Sequence, residues 1–119
     1  MTIPVHWLTS QLAIAPQINA QQIPDIAAMG FKTIICNRPD NEYGPGQPTA
    51  AEIEQAAAAA GLKFAHHPVA GNGGTAADAK EMGRLFAELP APVLAYCASG
   101  GRCMALIGVT ARMGMPIPQ

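Results

Sequence analysis

Aromatic residues make up only 5% of the 119-residue chain and charged residues only 13%. So few aromatics leave no platform on which bases could stack. The formal net charge is −1, and Lys and Arg are not clustered. Nucleic acid is therefore excluded as a partner, and any anion site must be local. No apolar run approaches the roughly 20 residues that cross a bilayer, which excludes a membrane-spanning helix. Met1-Thr2-Ile3-Pro4 lacks a basic region followed by an apolar stretch, so it does not read as a secretory signal. Cysteine is scarce as well: three residues, an odd number, without zinc-type spacing. Reduced thiols and a cytoplasmic location follow as expectations, with no metal and no cofactor. His66-His67 does not change this, because adjacent strand residues face opposite sides and cannot easily chelate one ion.

Half of the residues are hydrophobic, enough for the core of one domain spanning residues 1–119. Val5 to Leu8 and Leu12 to Ala15 read as short strands around a Thr9-Ser10 turn. Asn19 can cap a helix running to Met29, with Gly30 as its stop. Thr33 to Asn37 reads as a buried parallel strand, and Arg38 to Pro48 as a surface loop. Thr49-Ala50-Ala51-Glu52 has the form of a capping box opening a helix to Ala60. Leu62 to His67 is the next strand, and Thr75 caps a helix to about Leu89. Pro92 to Tyr96 and Cys103 to Met113 supply the last strand and helix. Alternation of this kind predicts an α/β domain with a mostly parallel sheet covered by helices. Ligands bind such sheets beyond the carboxyl ends of the strands. Cys97, Asn37-Arg38 and Pro68-Val69 all follow strand ends, so three loops are expected at one rim.

The chemistry concentrates in Cys97-Ala98-Ser99-Gly100-Gly101-Arg102, set between a strand and a helix. Glycines let backbone approach an anion and permit positive φ. A helix N-terminus and loop N–H groups attract an anion, and the same field favours a thiolate. Arg102 can give two parallel hydrogen bonds to phosphate, sulfate or thiosulfate oxygens. Ser99 can donate another. The stretch reads as a cysteine nucleophile in an anion cradle built from Ala98, Ser99, Gly100 and Gly101.

Several segments occur in a telling order. They are Asn37-Arg38-Pro39-Asp40-Asn41-Glu42, Glu52, Ala58-Ala59-Ala60-Gly61-Leu62, His67-Pro68-Val69, and Pro92 through Arg102. Together they resemble the beta-lactamase-hydrolase-like, phosphatase-like domain family, over nearly the whole chain. The resemblance implies a fold like that of dual-specificity phosphatases, with Cys97 as nucleophile and Arg102 as oxyanion clamp. It also implies a link to sulfur chemistry, because some members are fused to sulfur-oxidising metallo-hydrolase domains and are regarded as sulfurtransferases. A sulfur-oxidising enzyme or fused domain is thus an expected partner. The chain departs from the family pattern at Ala98, where a polar residue is usual, and at Cys103, where a hydroxyl residue is usual. The family's further C-terminal helix is expected to be missing.

Two features separate phosphate from sulfur chemistry. Protein-tyrosine phosphatases place five residues between cysteine and arginine; here there are four, as in single-domain rhodaneses. Phosphate-ester cleavage also benefits from an acid that protonates the leaving oxygen. The loop Pro68 to Gly74 holds no carboxylate, Asp78 reads as support for the next helix, and Asp40 is unusually placed. Sulfur transfer through a Cys97 persulfide, from thiosulfate or a small persulfide, is the leading expectation. A phosphocysteine phosphatase is the alternative, and a non-catalytic anion-binding domain the third. Arg38 can pair with Glu42 or reach substrate. Cys103 can pack on its helix or act as a redox partner of Cys97. Cys36 reads as inert core, and Met104, Met113 and Met115 as packing residues.

Overall fold

The computed structural model describes residues 3–119. Five strands form one sheet in the order β1-β2-β5-β3-β4, with β1 His6–Thr9, β2 Leu12–Ala15, β3 Thr33–Cys36, β4 Lys63–His66 and β5 Val93–Tyr96. Only β1 runs antiparallel, as the hairpin partner of β2. The other pairings, β2 with β5, β5 with β3, and β3 with β4, are parallel. This is the expected α/β domain with a mostly parallel sheet.

Strand alternation divides the core in two. Ala13, Ala15, Ile34, Cys36, Leu94 and Tyr96 face one side. There they meet Ile23 and Ile26 of α1 (Ile23–Ala28) and Ile53 and Ala57 of α2 (Ala50–Ala59). Leu12, Ile14, Ile35, Val93 and Ala95 face the other side. They pack on α3 (Ala76–Glu88), through Ala79, Met82, Leu85 and Phe86, and on α4 (Gly101–Arg112), through Cys103, Leu106 and Ile107. The α4 stripe follows helical spacing, and Thr110 extends it by donating from Oγ1 to the Ala79 carbonyl at 2.7 Å. Burying each large aliphatic side chain of this kind stabilises the fold by roughly 1.5–3 kcal/mol.

Several sequence expectations need correction. The helix expected from Asn19 to Met29 is split: Asn19 caps a 3₁₀ turn, Ala20–Gln22, and the α-helix starts at Ile23. Pro24 in the first turn explains the break, since it can donate no bond back to the preceding turn. At α2 the Thr49 side chain accepts from Glu52 N, and Asp40 Oδ1 takes the Ala50 N–H at 2.8 Å. The full reciprocal box forms instead at α3, between Thr75 and Asp78. Met104 and Met113 are exposed, at 45% and 44%, because they sit off the buried stripe of α4. Met115 does pack, lying against Gly83 of α3. The segment beyond α4 folds back on the sheet side: Ile117 packs on the second core, and Pro118 O accepts from Thr9 Oγ1 at 2.7 Å. Among the described residues no helix is long and apolar enough to cross a membrane.

Candidate active site

The register aligns Ala15, Cys36 and Tyr96 at one edge of the sheet, with His66 beside Cys36. The chain leaves that edge at Pro16, Asn37, His67 and Cys97, so four loops meet at one rim, one more than the sequence suggested. Backbone bonds stitch them together. Gln17 N donates to Ala98 O, Asn37 N to Tyr96 O, and Val69 N to Asn37 O.

Cys97 is the first residue beyond the central strand, and α4 begins four residues later. Gly100 turns the chain between them with φ of +92°, in the left-handed region. That φ, not lack of space, requires glycine: a Cβ there would lie 3.6 Å from the Ala15 backbone. Gly101 has no such constraint and opens the helix. The turn brings Gly100 N to 3.1 Å from Cys97 Sγ. Ser99 lies on the exposed side of the loop, its Oγ accepting from Gly101 N at 3.3 Å. Ala98 adds no side-chain polarity and binds Gln17 through its carbonyl.

The thiol of Cys97 is held far below its usual range, at about 5. The Cys103 side-chain hydrogen bond contributes most, and the backbone N–H groups of Cys103, Ser99 and Gly100 add to it against the cost of burial. Cys97 is thus a thiolate at neutral pH. The thiolate has no exposed surface, so the cradle is closed over it. Cys103 is equally buried and moves the other way. Its hydrogen bond to Cys97 and its burial push its thiol well above the usual value. Asn37 Oδ1, 3.3 Å from its Sγ, is a second acceptor within reach of its single proton.

Arg102 lies across the rim. Its Nη1 donates to Val69 O at 3.0 Å, and Nη2 to Glu42 Oε1 at 2.9 Å. Its Nε is buried and has no protein partner. That leaves one guanidinium N–H of the Cys97 loop free to donate. Glu42 was expected to pair with Arg38, and it does, at 3.1 Å; its reach to Arg102 was not foreseen. Arg102 first and Arg38 second keep the Glu42 carboxyl below the usual carboxylate range. Arg38 is also tied to Gln17 Oε1 at 2.9 Å and lies over the Tyr43 ring. Arg38 therefore reaches the cradle only through Glu42, which holds Arg102, and through Gln17, which holds Ala98.

The remaining carboxylates are engaged elsewhere. Asp78 Oδ2 accepts from Thr75 N and Oγ1, and its Oδ1 lies 3.9 Å from His67 Nε2. Burial lowers the His67 pKa, against the pull of Asp78. His66 turns instead to the Arg38 carbonyl, 3.1 Å away. Cys36 faces the first core, where burial raises its pKa. Among the described residues no cluster of three or more His, Cys, Asp or Glu side chains could hold a metal ion.

A strand-end thiolate, a glycine turn into a helix and an arginine on the same loop define a cysteine-dependent enzyme of the phosphatase-like α/β class. The profile of the family described as "Beta-lactamase hydrolase-like protein, phosphatase-like domain" matches residues 4–113, and the chain belongs to that family. A beta-lactamase hydrolase-like protein of Agrobacterium fabrum (strain C58) is 39% identical over 99 residues, covering 83% of this chain and 23% of that protein. The chain thus spans about a quarter of the length of the curated relatives it matches. The crystal structure of a candidate phosphatase from Neisseria meningitidis Z2491 superposes with a TM-score of 0.82 at 41% identity, covering 92% of this chain and 78% of that one. Kinase-associated phosphatase, crystallised with serine for its catalytic-site cysteine, shares the fold at a TM-score of 0.68 and 15% identity, covering 93% of this chain and 76% of that one.

Proposed function

We propose that the domain transfers sulfane sulfur through a persulfide on Cys97. The observation that carries this reading is the engagement of every carboxylate around the site. Asp78 caps α3 and Asp40 caps α2. Glu42 bridges two guanidinium groups and stays ionised. None is a free acid able to protonate an alkoxide leaving group, which phosphate-ester cleavage needs. Sulfur transfer needs none. The Cys97 thiolate attacks the outer sulfur of thiosulfate, the S–S bond to the sulfonate breaks, and sulfite leaves with the bond's electron pair. The loop N–H groups and Arg102 hold the departing charge. An acceptor thiolate then attacks the outer sulfur of the Cys97 persulfide and restores the thiolate. The four-residue span from Cys97 to Arg102 suits a small donor of this kind. In a longer protein containing such a domain, a sulfur-oxidising partner domain would consume or supply that sulfur.

The second reading is phosphatase chemistry through a phosphocysteine. The comparisons favour it, since the family is described as phosphatase-like and the neighbours above are named as phosphatases. Two assays on one sample separate the readings: thiocyanate formed from thiosulfate and cyanide, and hydrolysis of para-nitrophenyl phosphate. Thiocyanate formation that disappears in Cys97→Ser, and persists within about threefold in Asp40→Asn and Asp78→Asn, is the expected result. Phosphate release lost by about a hundredfold in either aspartate variant would instead establish the hydrolase and its acid. Absence of both activities would leave an anion-binding domain.

A further inference from the structure

Cys103 is the buried nucleophilic group that neither reading uses. It sits in the first turn of α4, fully buried in the same core cluster as Cys97, and it occupies the position directly after Arg102. Its neighbourhood is built to hold a thiol in place. Asn37 Oδ1 lies 3.3 Å from Cys103 Sγ, within reach of its proton. Asn37 is itself fully buried and fixed, donating from Nδ2 to His67 O at 3.0 Å and from its backbone N–H to Tyr96 O. Both sulfurs belong to the second core cluster, on the α3–α4 face. Cys36, the remaining thiol, belongs to the first cluster on the opposite face and donates to Arg38 O.

We propose that Cys103 is a resolving thiol, which captures oxidised Cys97 as a Cys97–Cys103 disulfide and keeps the nucleophile recoverable. The proposal rests on Cys97 being a thiolate, which both readings above share, and not on the identity of the substrate. The oxidant is a hydroperoxide. The Cys97 thiolate attacks the peroxide's distal oxygen, the O–O bond breaks, and its electron pair leaves on an alkoxide or hydroxide that takes a proton from solvent; Cys97 becomes a sulfenic acid, oxidised by two electrons. Cys103 Sγ then attacks Cys97 Sγ and displaces hydroxide. The Cys103 proton joins that hydroxide as water, and the S–S bond replaces the S–O bond.

Electrostatics favours the second step. The leading cause that keeps the Cys103 proton in place is its bond to the Cys97 thiolate. Oxidation neutralises Cys97 and removes that cause together with the repulsion of its charge; burial still favours the thiol, and Arg102 the anion. A serine or threonine at this position could make the hydrogen bond but could not resolve the sulfenic acid. A small external thiol reverses the disulfide by exchange.

The test oxidises the reduced full chain with stoichiometric hydrogen peroxide, blocks residual thiols with a maleimide under denaturing conditions, and maps the peptides without reduction. The expected product is a Cys97–Cys103 crosslink, about 2 Da lighter than the two reduced peptides it joins and reversed by dithiothreitol, with Cys36 alkylated. Cys103→Ser keeps a hydrogen-bond donor, and its folding is checked by thermal denaturation. The same dose should carry its Cys97 to the sulfinic acid, about 32 Da heavier and resistant to dithiothreitol, so that recovery falls about tenfold or more. Over-oxidised Cys97 in the wild type without a crosslink, or a crosslink through Cys36, overturns the proposal. Uptake of sulfur from thiosulfate without any crosslink overturns it alone. Crosslinking without sulfur uptake supports it and removes the sulfur-transfer reading.

Discussion

Replacing Cys103 by alanine should raise the pKa of Cys97 and leave its loop in place. The Cys103 side chain is the largest single contributor to holding Cys97 at about 5, against an ordinary value of 9.0. A hydrogen bond to a charged acceptor contributes about 1.5–3 kcal/mol, and one pKa unit corresponds to about 1.4 kcal/mol. Loss of the bond should therefore move the inflection up by roughly one to two pH units, to about 6–7. Thiolate absorbance in the ultraviolet, titrated against pH with Cys97→Ser as the blank, reads this directly and does not depend on access to the closed cradle. Cys103→Ser, which keeps a donor, should fall between the two.

The same shift predicts how stability follows pH. A group whose pKa is depressed by folding stabilises the native state above its unfolded pKa, and that contribution fades as pH falls toward the folded value. Denaturant midpoints of the wild type should thus decline between about pH 9 and pH 5, by at most about 1.4 kcal/mol per unit from this site. Cys103 acts in the opposite sense: its raised pKa gives stability that is lost only as pH rises above the unfolded thiol value. The pair should be most stable near the unfolded thiol pKa, and its two titration steps belong to the pair as a whole. A wild-type inflection near the ordinary thiol value, or identical inflections in wild type and Cys103→Ala, would refute the reasoning.

Two further outcomes follow from the rim. Glu42→Gln keeps an acceptor but removes the charge between two guanidiniums whose side chains are only 8% and 7% exposed. With Glu42 itself 17% exposed, urea unfolding at neutral pH should show a loss of about 1–2 kcal/mol. That difference should shrink as pH falls through the lowered Glu42 pKa, and equal midpoints at neutral pH would show the bridge to be inert. Gly100→Ala meets no steric obstacle but must hold φ near +92°, so it should cost about 1–2 kcal/mol and raise the Cys97 inflection as the Gly100 N–H drifts from the sulfur. An unchanged inflection would remove that N–H from the account of the thiolate.

What the sequence revealed was mostly local or periodic. Thr75 capping α3, a helix following the cysteine loop, and the strand-end placement of Cys97 each need only a few neighbouring residues to be read. Cys36 as core and Asp78 as a helix cap were legible for the same reason. The contact between Glu42 and Arg102 was not, because 60 residues separate them and only the parallel register brings both to one rim. Gln17 joined the site equally unannounced, since β2 was read as half of a hairpin and its parallel pairing with β5 leaves no local mark. Met104 and Met113, in and just beyond α4, misled because composition shows that a residue is apolar but not which side of a helix it occupies. The closure over Cys97 was invisible for a similar reason: exposure is a property of the assembled loops.

β5 lies in the middle of the sheet, with β2 and β3 hydrogen-bonded on either side, while β1 and β4 form the two edges. Opening of the native state proceeds in cooperative units, and edge strands belong to the units that open at lowest cost. The nucleophile therefore hangs from the segment that should exchange its amide hydrogens last. Fraying at either edge would leave the strand that aims Cys97 in register.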